Sequence, residues 1–333
     1  MTAAQGNIVL THWVHQEVID LLSSYGQVLA NQSRESLGRE ELRARLQKAK
    51  AVMVFMPDCV DAAFLQQCPN VQIVAAALKG FDNIDVAACT AGNIWLSIVP
   101  DLLTIPTAEL AIGLMIGLGR NVLAGDSRIR HAAFQGWRPL LYGKGLHGST
   151  VGILGLGAVG SAIARMLVPF GCTTLAYDVR PLGAEECAAL QVQAASTGEI
   201  YQRSDFIIAA LPLSDATWHF IDREALSQMK EDCCLINVGR GSCLDEEAVA
   251  AALAAGQLAG YSADVFAFED WIRPDRPQYI PEKLLGERER TLFTPHLGSA
   301  VDSVRKAIAL EAAANIIDVF EGKRPRGAIN QAH

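Results

Sequence analysis

The chain has 333 residues, of which 50% are hydrophobic and 19% are charged. This composition is typical of a globular protein with a large core, and the length favours two domains. The formal net charge is -8 and no basic stripe is present, which argues against a nucleic-acid partner. An anionic ligand would therefore have to be attracted by local cations.

The eight cysteines show neither a CxxC pair nor the spacing of metal ligands. We interpret them as small buried thiols in a reducing compartment, and we predict no metal site. The first residues lack the basic and apolar regions of a signal peptide. The most apolar stretch, at 110–119, is too short to span a bilayer, so we expect a cytoplasmic protein without a membrane partner.

The predicted elements alternate between strands and helices along the chain. In the first hundred residues, apolar runs predict strands at 7–10, 51–55, 71–76 and 94–99, with helices at 16–25 and 40–49 between them. After a loop marked by Pro100 and Pro106, a long helix is predicted from Thr107. A second series of strands follows at 151–154, 174–177, 206–211, 235–238, 260–265 and 291–294, and a helix at about 301–320 closes the chain. This alternation predicts an α/β fold with doubly wound parallel sheets.

Gly155, Gly157 and Gly160 form a Gly-x-Gly-x-x-Gly motif directly after the strand at 151–154. The helix that follows begins with Ala158 and Val159, so the motif lies between a strand and a helix. Glycines permit the tight turn and the close backbone approach that bring a pyrophosphate onto the N-terminus of the helix. In this context the motif predicts a dinucleotide site rather than a structural turn.

Asp178 ends the next predicted strand, 18 positions after Gly160 (178 − 160). A carboxylate at about this spacing binds the hydroxyls of the adenosine ribose and repels the 2′-phosphate of NADP. We therefore predict NAD as the cofactor. Arg180, two positions later, could soften that preference.

Three strands of the second series are each followed by one unusual residue, namely Arg240, Glu269 and His296. Taken singly, each residue also has a purely structural interpretation: Arg240 as a surface turn arginine, Glu269 as a solvated loop acid and His296 as a core histidine. Strand carboxyl ends line the ligand crevice of open α/β sheets, however, so together they favour chemistry. Arg240 can bind an oxyanion through its planar fork, and His296 can take a proton as a hydride leaves the substrate. Glu269 can hold the imidazole and favour its protonated form.

The segments 237–241, 264–269 and 294–296 resemble the signature segments of the D-2-hydroxyacid dehydrogenase family. The resemblance implies that the family's catalytic Arg, Glu and His correspond to Arg240, Glu269 and His296. It also implies a Rossmann-type cofactor domain at 103–296, inserted into a flavodoxin-like substrate domain at 1–102 and 297–333. A homodimer formed through the cofactor domains and the helix after Thr107 is expected on the same basis.

The family resemblance further implies a set of cofactor contacts beyond the glycine motif and Asp178. The residues assigned to it are Lys79, Thr107, Ala210, Leu211, Pro212, Val238, Gly239, Arg240, Asp264 and His296.

Lys79 departs from the general family pattern, in which the residue before Gly80 is apolar or small. Lys79 could be an ordinary surface lysine without a functional role, but it follows an apolar strand at the crevice end of the first domain. A buried cation there should have an anionic partner. Lys79 resembles the family members that oxidise phosphite, and so do the segments 11–12, 55–58, 100–104, 135–137, 269–271 and 298–301.

Phosphite is a compact anion that is mostly doubly charged at neutral pH, which suits the two cations Lys79 and Arg240. Its oxidation requires a base for water, and His296 is the candidate. The other expected substrate contacts are Gly80, Met56, Trp137, Tyr142 and Ser299.

Two alternatives remain open from the sequence. The nearer is the reduction of a small 2-keto acid, such as glyoxylate or hydroxypyruvate, by the same three residues. The more distant is an NAD-sensing scaffold that resembles the corepressors of this fold, against which the intact Arg240, Glu269 and His296 argue.

Overall fold

The computed structural model describes residues 6–332, which form two α/β units. The first unit contains the described residues up to Leu103, the segment Trp271–Pro274 and the described residues from Ala300 onward. The second unit contains Thr104–Asp270 and Asp275–Ser299. The main passages between units therefore follow Leu103 and Ser299, compared with the expected junctions at 102/103 and 296/297.

The first unit begins with alternating strands and helices. They are β1 (Asn7–Leu10), α1 (Gln16–Ser23), β2 (Gln27–Ala30), α2 (Arg39–Leu46), β3 (Ala49–Val54), α3 (Ala62–Gln66), β4 (Ile73–Ala76), α4 (Val86–Ala91) and β5 (Trp95–Ser97).

The second unit continues the alternation. Its elements are α5 (Thr104–Gly119), α6 (Val122–Arg130), β6 (Thr150–Leu154), α7 (Ala158–Leu167), β7 (Thr173–Tyr177), α8 (Ala184–Leu190), β8 (Gln193–Ala194), α9 (Thr197–Arg203), β9 (Phe206–Ala209), α10 (Arg223–Ser227), β10 (Cys234–Asn237), α11 (Glu246–Ala254), β11 (Gly260–Ala263), α12 (Glu282–Gly286) and β12 (Thr291–Phe293). Short 3₁₀ turns lie at Val168–Phe170, Gly241–Cys243 and Ala267–Glu269. The last helix, α13 (Asp302–Phe320), belongs to the first unit.

Both sheets are parallel and buried on their two faces. In the first unit the strand order is β2-β1-β3-β4-β5, which is the flavodoxin-like order. Ile8 and Leu10 of β1 pack into one core with α13, whereas Val9 packs into the core on the opposite face. Since successive side chains alternate between faces that are both covered, the central strands are largely apolar.

The second sheet has the order β12-β11-β10-β9-β6-β7-β8. Counted from β6, this is the Rossmann order with one further strand at the edge. Ile153 of β6 packs with α5 and α7 on one face, and Leu154 packs with α9 and α11 on the other. The prediction of two doubly wound parallel-sheet domains is confirmed.

Several local predictions differ from the structure. The long helix α5 begins at Thr104 rather than Thr107, so Pro106 lies in its first turn, where a missing N–H breaks no helical hydrogen bond. The strands β2 and β8 were not predicted. β2 is only partly buried and β8 has two exposed residues, so neither has the apolar run that marks the other strands.

All eight cysteines are free thiols, and five of them are buried. Burial raises the pKa of Cys68 and of Cys243 to about 12, so both are uncharged at neutral pH. Within residues 6–332 no single helix is long and apolar enough to cross a membrane, although α5 and α6, which are bent by 63° at their junction, pass the length and composition test as a pair.

Candidate active site

The loop between β6 and α7 is shaped by the three glycines of the motif. Gly155 has a φ of 92°, and a Cβ on it would lie 2.8 Å from the carbonyl oxygen of Ala210. A Cβ on Gly160 would lie only 2.0 Å from the carbonyl oxygen of Gly155, so the helix packs against its own loop. Beside Gly157, by contrast, the described chain leaves open space, and no side chain in it caps α7. The exposed N–H groups at this helix end suit a pyrophosphate.

Asp178, directly after β7, is fixed beside this loop. Its Oδ2 accepts a hydrogen bond of 2.8 Å from the N–H of Leu156, and its Oδ1 accepts one of 3.2 Å from the N–H of Arg180. The guanidinium of Arg180 donates to both carboxylate oxygens of Glu186, at 2.8 and 2.5 Å. Since the guanidinium group of Arg180 is hydrogen-bonded to Glu186, Arg180 is not preorganised to bind a 2′-phosphate.

Arg240 lies in a loop whose shape is set by Asn237, the last residue of β10. The Nδ2 of Asn237 donates to the carbonyl oxygen of Arg240 at 3.0 Å, and its Oδ1 accepts from the N–H of Gly239 at 3.1 Å. The Nη1 of Arg240 donates to the carbonyl oxygen of Gly239 at 2.9 Å. A Cβ on Gly239 would lie 2.4 Å from the carbonyl oxygen of Leu211, so glycine is required there.

The loop that carries Arg240 packs directly against the turn that carries Glu269. A Cβ on Gly241 would lie 1.8 Å from the carbonyl carbon of Phe266, a distance that no side chain tolerates. The N–H of Ser242 donates to the Oδ2 of buried Asp270 at 3.0 Å. Backbone contact and a buried carboxylate therefore hold the two loops together.

His296 and Glu269 form a hydrogen-bonded pair. The Nδ1 of His296 lies 2.8 Å from the Oε2 of Glu269, while the Oε1 of Glu269 accepts from the N–H of Phe266 at 2.9 Å. Because a carboxylate only accepts, Nδ1 is assigned as the donor, which leaves Nε2 as the basic nitrogen. The two side chains are 24% and 23% exposed, so the pair remains accessible to a substrate.

The backbone of His296 has a φ of 56°, in the left-handed region that histidine rarely adopts. Asp264 holds this conformation, since its carbonyl oxygen accepts the N–H of His296 at 2.8 Å. Its buried carboxylate accepts the N–H of Leu297 at 2.6 Å and that of Gly298 at 2.8 Å. Burial raises the pKa of Asp264, and these hydrogen bonds oppose that rise. A Cβ on Gly298 would lie 3.0 Å from the Oγ1 of Thr107, so Thr107 lies beside the same loop.

In the first unit, Lys79 and Gly80 follow β4 and are half-buried, as is Met56 after β3. Within the described residues the Lys79 ammonium has no hydrogen-bond or ion-pair partner. Arg305 of α13 lies close to the same strand ends. Its Nη1 is 3.5 Å from the carbonyl oxygen of Ala77, its guanidinium lies over the ring of Phe55, and burial lowers its pKa.

The remaining predicted residues have different surroundings. Trp137 and Tyr142 are 82% and 77% exposed, so the second unit does not enclose them in a pocket of its own. Ser299 is half-buried at the end of the loop that carries His296. The other predicted cofactor contacts, Ala210, Leu211, Pro212 and Val238, lie just beyond the carboxyl ends of β9 and β10.

Comparison with known proteins identifies the family of the chain. The model of the D-isomer specific 2-hydroxyacid dehydrogenase NAD-binding domain matches residues 112–298, more than half of the chain. The chain belongs to this family. Since its glycine loop also fits a dinucleotide, the chain binds NAD, as predicted. The residues that would hold it are those of the glycine motif and Asp178.

Curated relatives include the glyoxylate reductase of Pyrococcus furiosus, which is 32% identical over 97% of this chain and 95% of its own length. Among solved structures, the TT0316 protein of Thermus thermophilus is 28% identical with a TM-score of 0.86, covering 97% and 99% of the two chains. A glyoxylate/hydroxypyruvate reductase of Sinorhizobium meliloti, solved with NADP and malonate, is 25% identical with a TM-score of 0.81, covering 97% and 96%.

The sequence predicted no metal site in this dehydrogenase. Among the side chains of residues 6–332, no group of three or more His, Cys, Asp or Glu could hold a metal ion. The roles of Arg240, Glu269 and His296 in hydride transfer remain predictions, although the structure brings their loops together.

Replacing Asp178 with Ala is expected to lower the preference for NAD over NADP about 10- to 100-fold, mainly by improving NADP. A charge-assisted hydrogen bond is worth about 1.5–3 kcal/mol, and the repulsion of a 2′-phosphate disappears with the carboxylate. The kcat/KM for each cofactor measures this ratio. Because Asp178 also holds the N–H of Leu156, Asp178→Asn is the matched variant that keeps an acceptor there. An unchanged ratio in both variants would mean that another residue sets the preference.

Sequence reasoning missed three residues near the candidate site. Asp270 joins the loop of Arg240 to that of Glu269, and Glu246 accepts a hydrogen bond from the backbone of the Glu269 loop. Arg305 adds a cation to the first unit. Asp270 follows Glu269 directly, and that adjacency was the available signal. Glu246 is preceded by Asp245, the N-cap of α11, so it has the pattern of an ordinary first-turn acid.

Proposed function

We propose that this dehydrogenase oxidises phosphite to phosphate with NAD. The observation that carries the proposal is Lys79, a half-buried residue whose ammonium has no partner among the described residues. A small anionic ligand would supply the partner that this ammonium lacks. The resemblance of several separate segments to phosphite-oxidising members of the family supports the same conclusion.

The charge of the substrate distinguishes the candidates. Phosphite at neutral pH is mostly a dianion, whereas glyoxylate and hydroxypyruvate are monoanions. The proposal assigns both Lys79 and Arg240 to the anion, one charge from each cation. A monoanion needs only the planar fork of Arg240, which matches a carboxylate through two parallel hydrogen bonds.

The reaction breaks the P–H bond and forms a new P–O bond with the oxygen of water. When bound, NAD supplies the nicotinamide ring that accepts the hydride. His296 takes a proton from the water at its Nε2 as the oxygen bonds to phosphorus, and Glu269 stabilises the imidazolium that results. Arg240 and Lys79 neutralise the charge on the phosphoryl oxygens, which is worth most where bulk water is excluded.

Reduction of a small 2-keto acid is the second candidate, and the names of the relatives favour it over phosphite oxidation. Several curated relatives, at about 30% identity, are glyoxylate reductases. In that reaction Arg240 would bind the carboxylate of the keto acid, and His296 would donate a proton to the carbonyl oxygen that receives the hydride at carbon.

A single assay separates the two candidates. The purified protein is mixed with NAD and phosphite, without any other reductant, and NADH is followed by its absorbance. We expect NADH and an equal amount of phosphate to form. The reverse assay uses NADH with glyoxylate or hydroxypyruvate. Turnover of a keto acid without any oxidation of phosphite would reject the proposal and leave the second candidate.

We further propose that the protein is a homodimer, formed through an apolar surface on α6 and the loop after it. Exposed apolar residues concentrate on this surface; they are Val122, Leu123, Ile129, Phe134, Trp137, Leu140, Leu141 and Tyr142. A patch of this kind is typical of a protein interface, and in a homo-oligomer a second copy covers it.

Ile129→Asp is expected to shift the protein from dimer to monomer, because it places a charge among the exposed apolar side chains of this surface. Sedimentation velocity measures the mass. Val179→Asp is the matched control, since Val179 is 90% exposed and lies outside this surface. A wild-type protein that sediments as a monomer at micromolar concentration would contradict the dimer.

A further inference from the structure

Glu246 is a buried carboxyl group that the reaction described above does not use. It is the first residue of α11 and is 5% exposed. Its Oε1 accepts a hydrogen bond of 2.8 Å from the N–H of Ala267, the first residue of the 3₁₀ turn that ends with Glu269. Within the described residues its Oε2 is buried and has no hydrogen-bond partner.

The contact with Ala267 connects Glu246 to the catalytic pair. The turn Ala267–Glu269 carries the carboxylate that holds the Nδ1 of His296. Two hydrogen bonds fix the start of this turn, one from Ala267 to Glu246 and one from Phe266 to Glu269 itself. The first of them comes from a different element, so Glu246 connects the turn to α11.

The surroundings of Glu246 favour its neutral form. Burial, together with the charges of Asp270 and Glu269 on the neighbouring turn and of Glu247 on its own helix, raises the pKa of Glu246 to about 7, and the hydrogen bond from Ala267 opposes this rise. Tyr261 of β11 interacts electrostatically with Glu246, and burial raises the pKa of its hydroxyl well above the usual value. A carboxylate with an orphaned oxygen among acidic neighbours costs much more free energy to bury than a neutral acid does.

We propose that Glu246 is a positioning residue, which holds the Ala267–Glu269 turn as a neutral acid and thereby keeps Glu269 hydrogen-bonded to His296. When Glu246 ionises, a further buried negative charge lies next to Glu269 and Asp270, and their repulsion loosens the turn. This inference rests on the role of the His296–Glu269 pair in the proposed function, but it holds for phosphite oxidation and keto-acid reduction alike.

The first test compares two substitutions that differ in one hydrogen bond. Glu246→Gln keeps an oxygen that accepts from Ala267 but cannot ionise, whereas Glu246→Ala removes the acceptor. With whichever substrate the wild type turns over, we expect Glu246→Ala to lose kcat about 10- to 100-fold at pH 6.5, since misplaced catalytic groups cost rates of this order. NAD affinity should be unchanged, and Glu246→Gln should recover most of kcat.

The second test is the pH profile. Above pH 7 the wild type should lose kcat as Glu246 ionises, and Glu246→Gln should keep its activity to higher pH. Glu247→Gln is the matched control, because Glu247 is the exposed neighbour on the same helical turn and changes charge equally. A merely structural role of Glu246 would leave the profiles of Glu246→Gln and wild type superimposed.

The third test needs no substrate, so it separates this inference from the proposed function. The pKa of the Glu246 carboxyl is raised from 4.5 to about 7 on folding. The folded protein therefore binds a proton that the unfolded chain releases between these values, and stability falls as pH rises through this window. The melting temperature of the wild type should drop relative to that of Glu246→Gln from pH 5 to pH 7.5. Carbon-13 NMR of the glutamate carboxyl groups assigns the titration by its loss in Glu246→Gln.

Three results would overturn the inference. One is a folded Glu246→Ala whose kcat stays within twofold of wild type. Another is a folded Glu246→Gln that is as impaired as Glu246→Ala, since an acceptor would then not matter. The third is a carboxyl that titrates below pH 5. If Glu246→Ala does not fold, the Gln variant and the NMR titration still decide.

Discussion

Replacing His296 with Asn is expected to lower kcat by about 10²–10⁴-fold, which is the usual contribution of a positioned general base. Asn keeps the polar character of the side chain but takes up no proton near neutral pH. Since the glycine motif and Asp178 are unchanged in this variant, NAD should still bind. Steady-state kinetics and a fluorescence titration with NADH measure the two quantities.

The control for this variant is His147→Asn, because His147 is an exposed histidine of the same unit. Calorimetry establishes that both variants fold. His296 has a left-handed backbone, which Asn adopts more readily than most residues, so the substitution should not destabilise the loop. A folded His296→Asn with near-normal kcat would eliminate His296 as the base.

The sequence predicts those parts of the fold that rest on short-range patterns. The apolar runs of β1, β6 and β9 are buried on both faces, so hydrophobicity alone marks them. β8 has two exposed residues and forms an edge of its sheet, where pairing with β7 rather than burial defines the strand. No single-sequence pattern carries that information.

The sequence predicted which residue types follow which strands in the candidate site. It did not predict the side chains that hold the loops in place. Arg240, Glu269 and His296 were recognised because each follows a strand. The buried carboxylates of Asp264 and Asp270 hold these loops through backbone N–H groups, at distances along the chain of 33 and 28 residues. Such long-range contacts depend on the register of neighbouring strands. The sequence therefore indicates the candidate catalytic residues but not the side chains that orient their loops.

The residues of this chain and the names of its relatives indicate different substrates. Several curated relatives are named for glyoxylate, and they match this chain over nearly its whole length. A fold shared at 30% identity does not determine the substrate. The discriminating feature is a side chain near the reacting group, and in this chain Lys79 is the candidate.

Lys79→Ala is expected to lower kcat/KM for phosphite by about 10²–10³-fold. A charge-assisted contact that acts on the transition state in a desolvated site is worth about 2–4 kcal/mol. Lys79→Arg should recover part of the loss, because it restores the charge but not the compact ammonium. Lys48→Ala is the control, since Lys48 is an exposed lysine of the same unit.

The decisive quantity is the ratio of the loss for phosphite to the loss for a monoanionic keto acid. If Lys79 and Arg240 share a dianion, removing one cation leaves an excess negative charge on phosphite but none on glyoxylate, whose single charge Arg240 still neutralises. The loss for phosphite should therefore exceed that for glyoxylate by at least about tenfold, equivalent to about 1.4 kcal/mol. Equal losses for the two substrates would assign Lys79 to general anion binding, and the 2-hydroxyacid dehydrogenase activity would then be the better assignment for this chain.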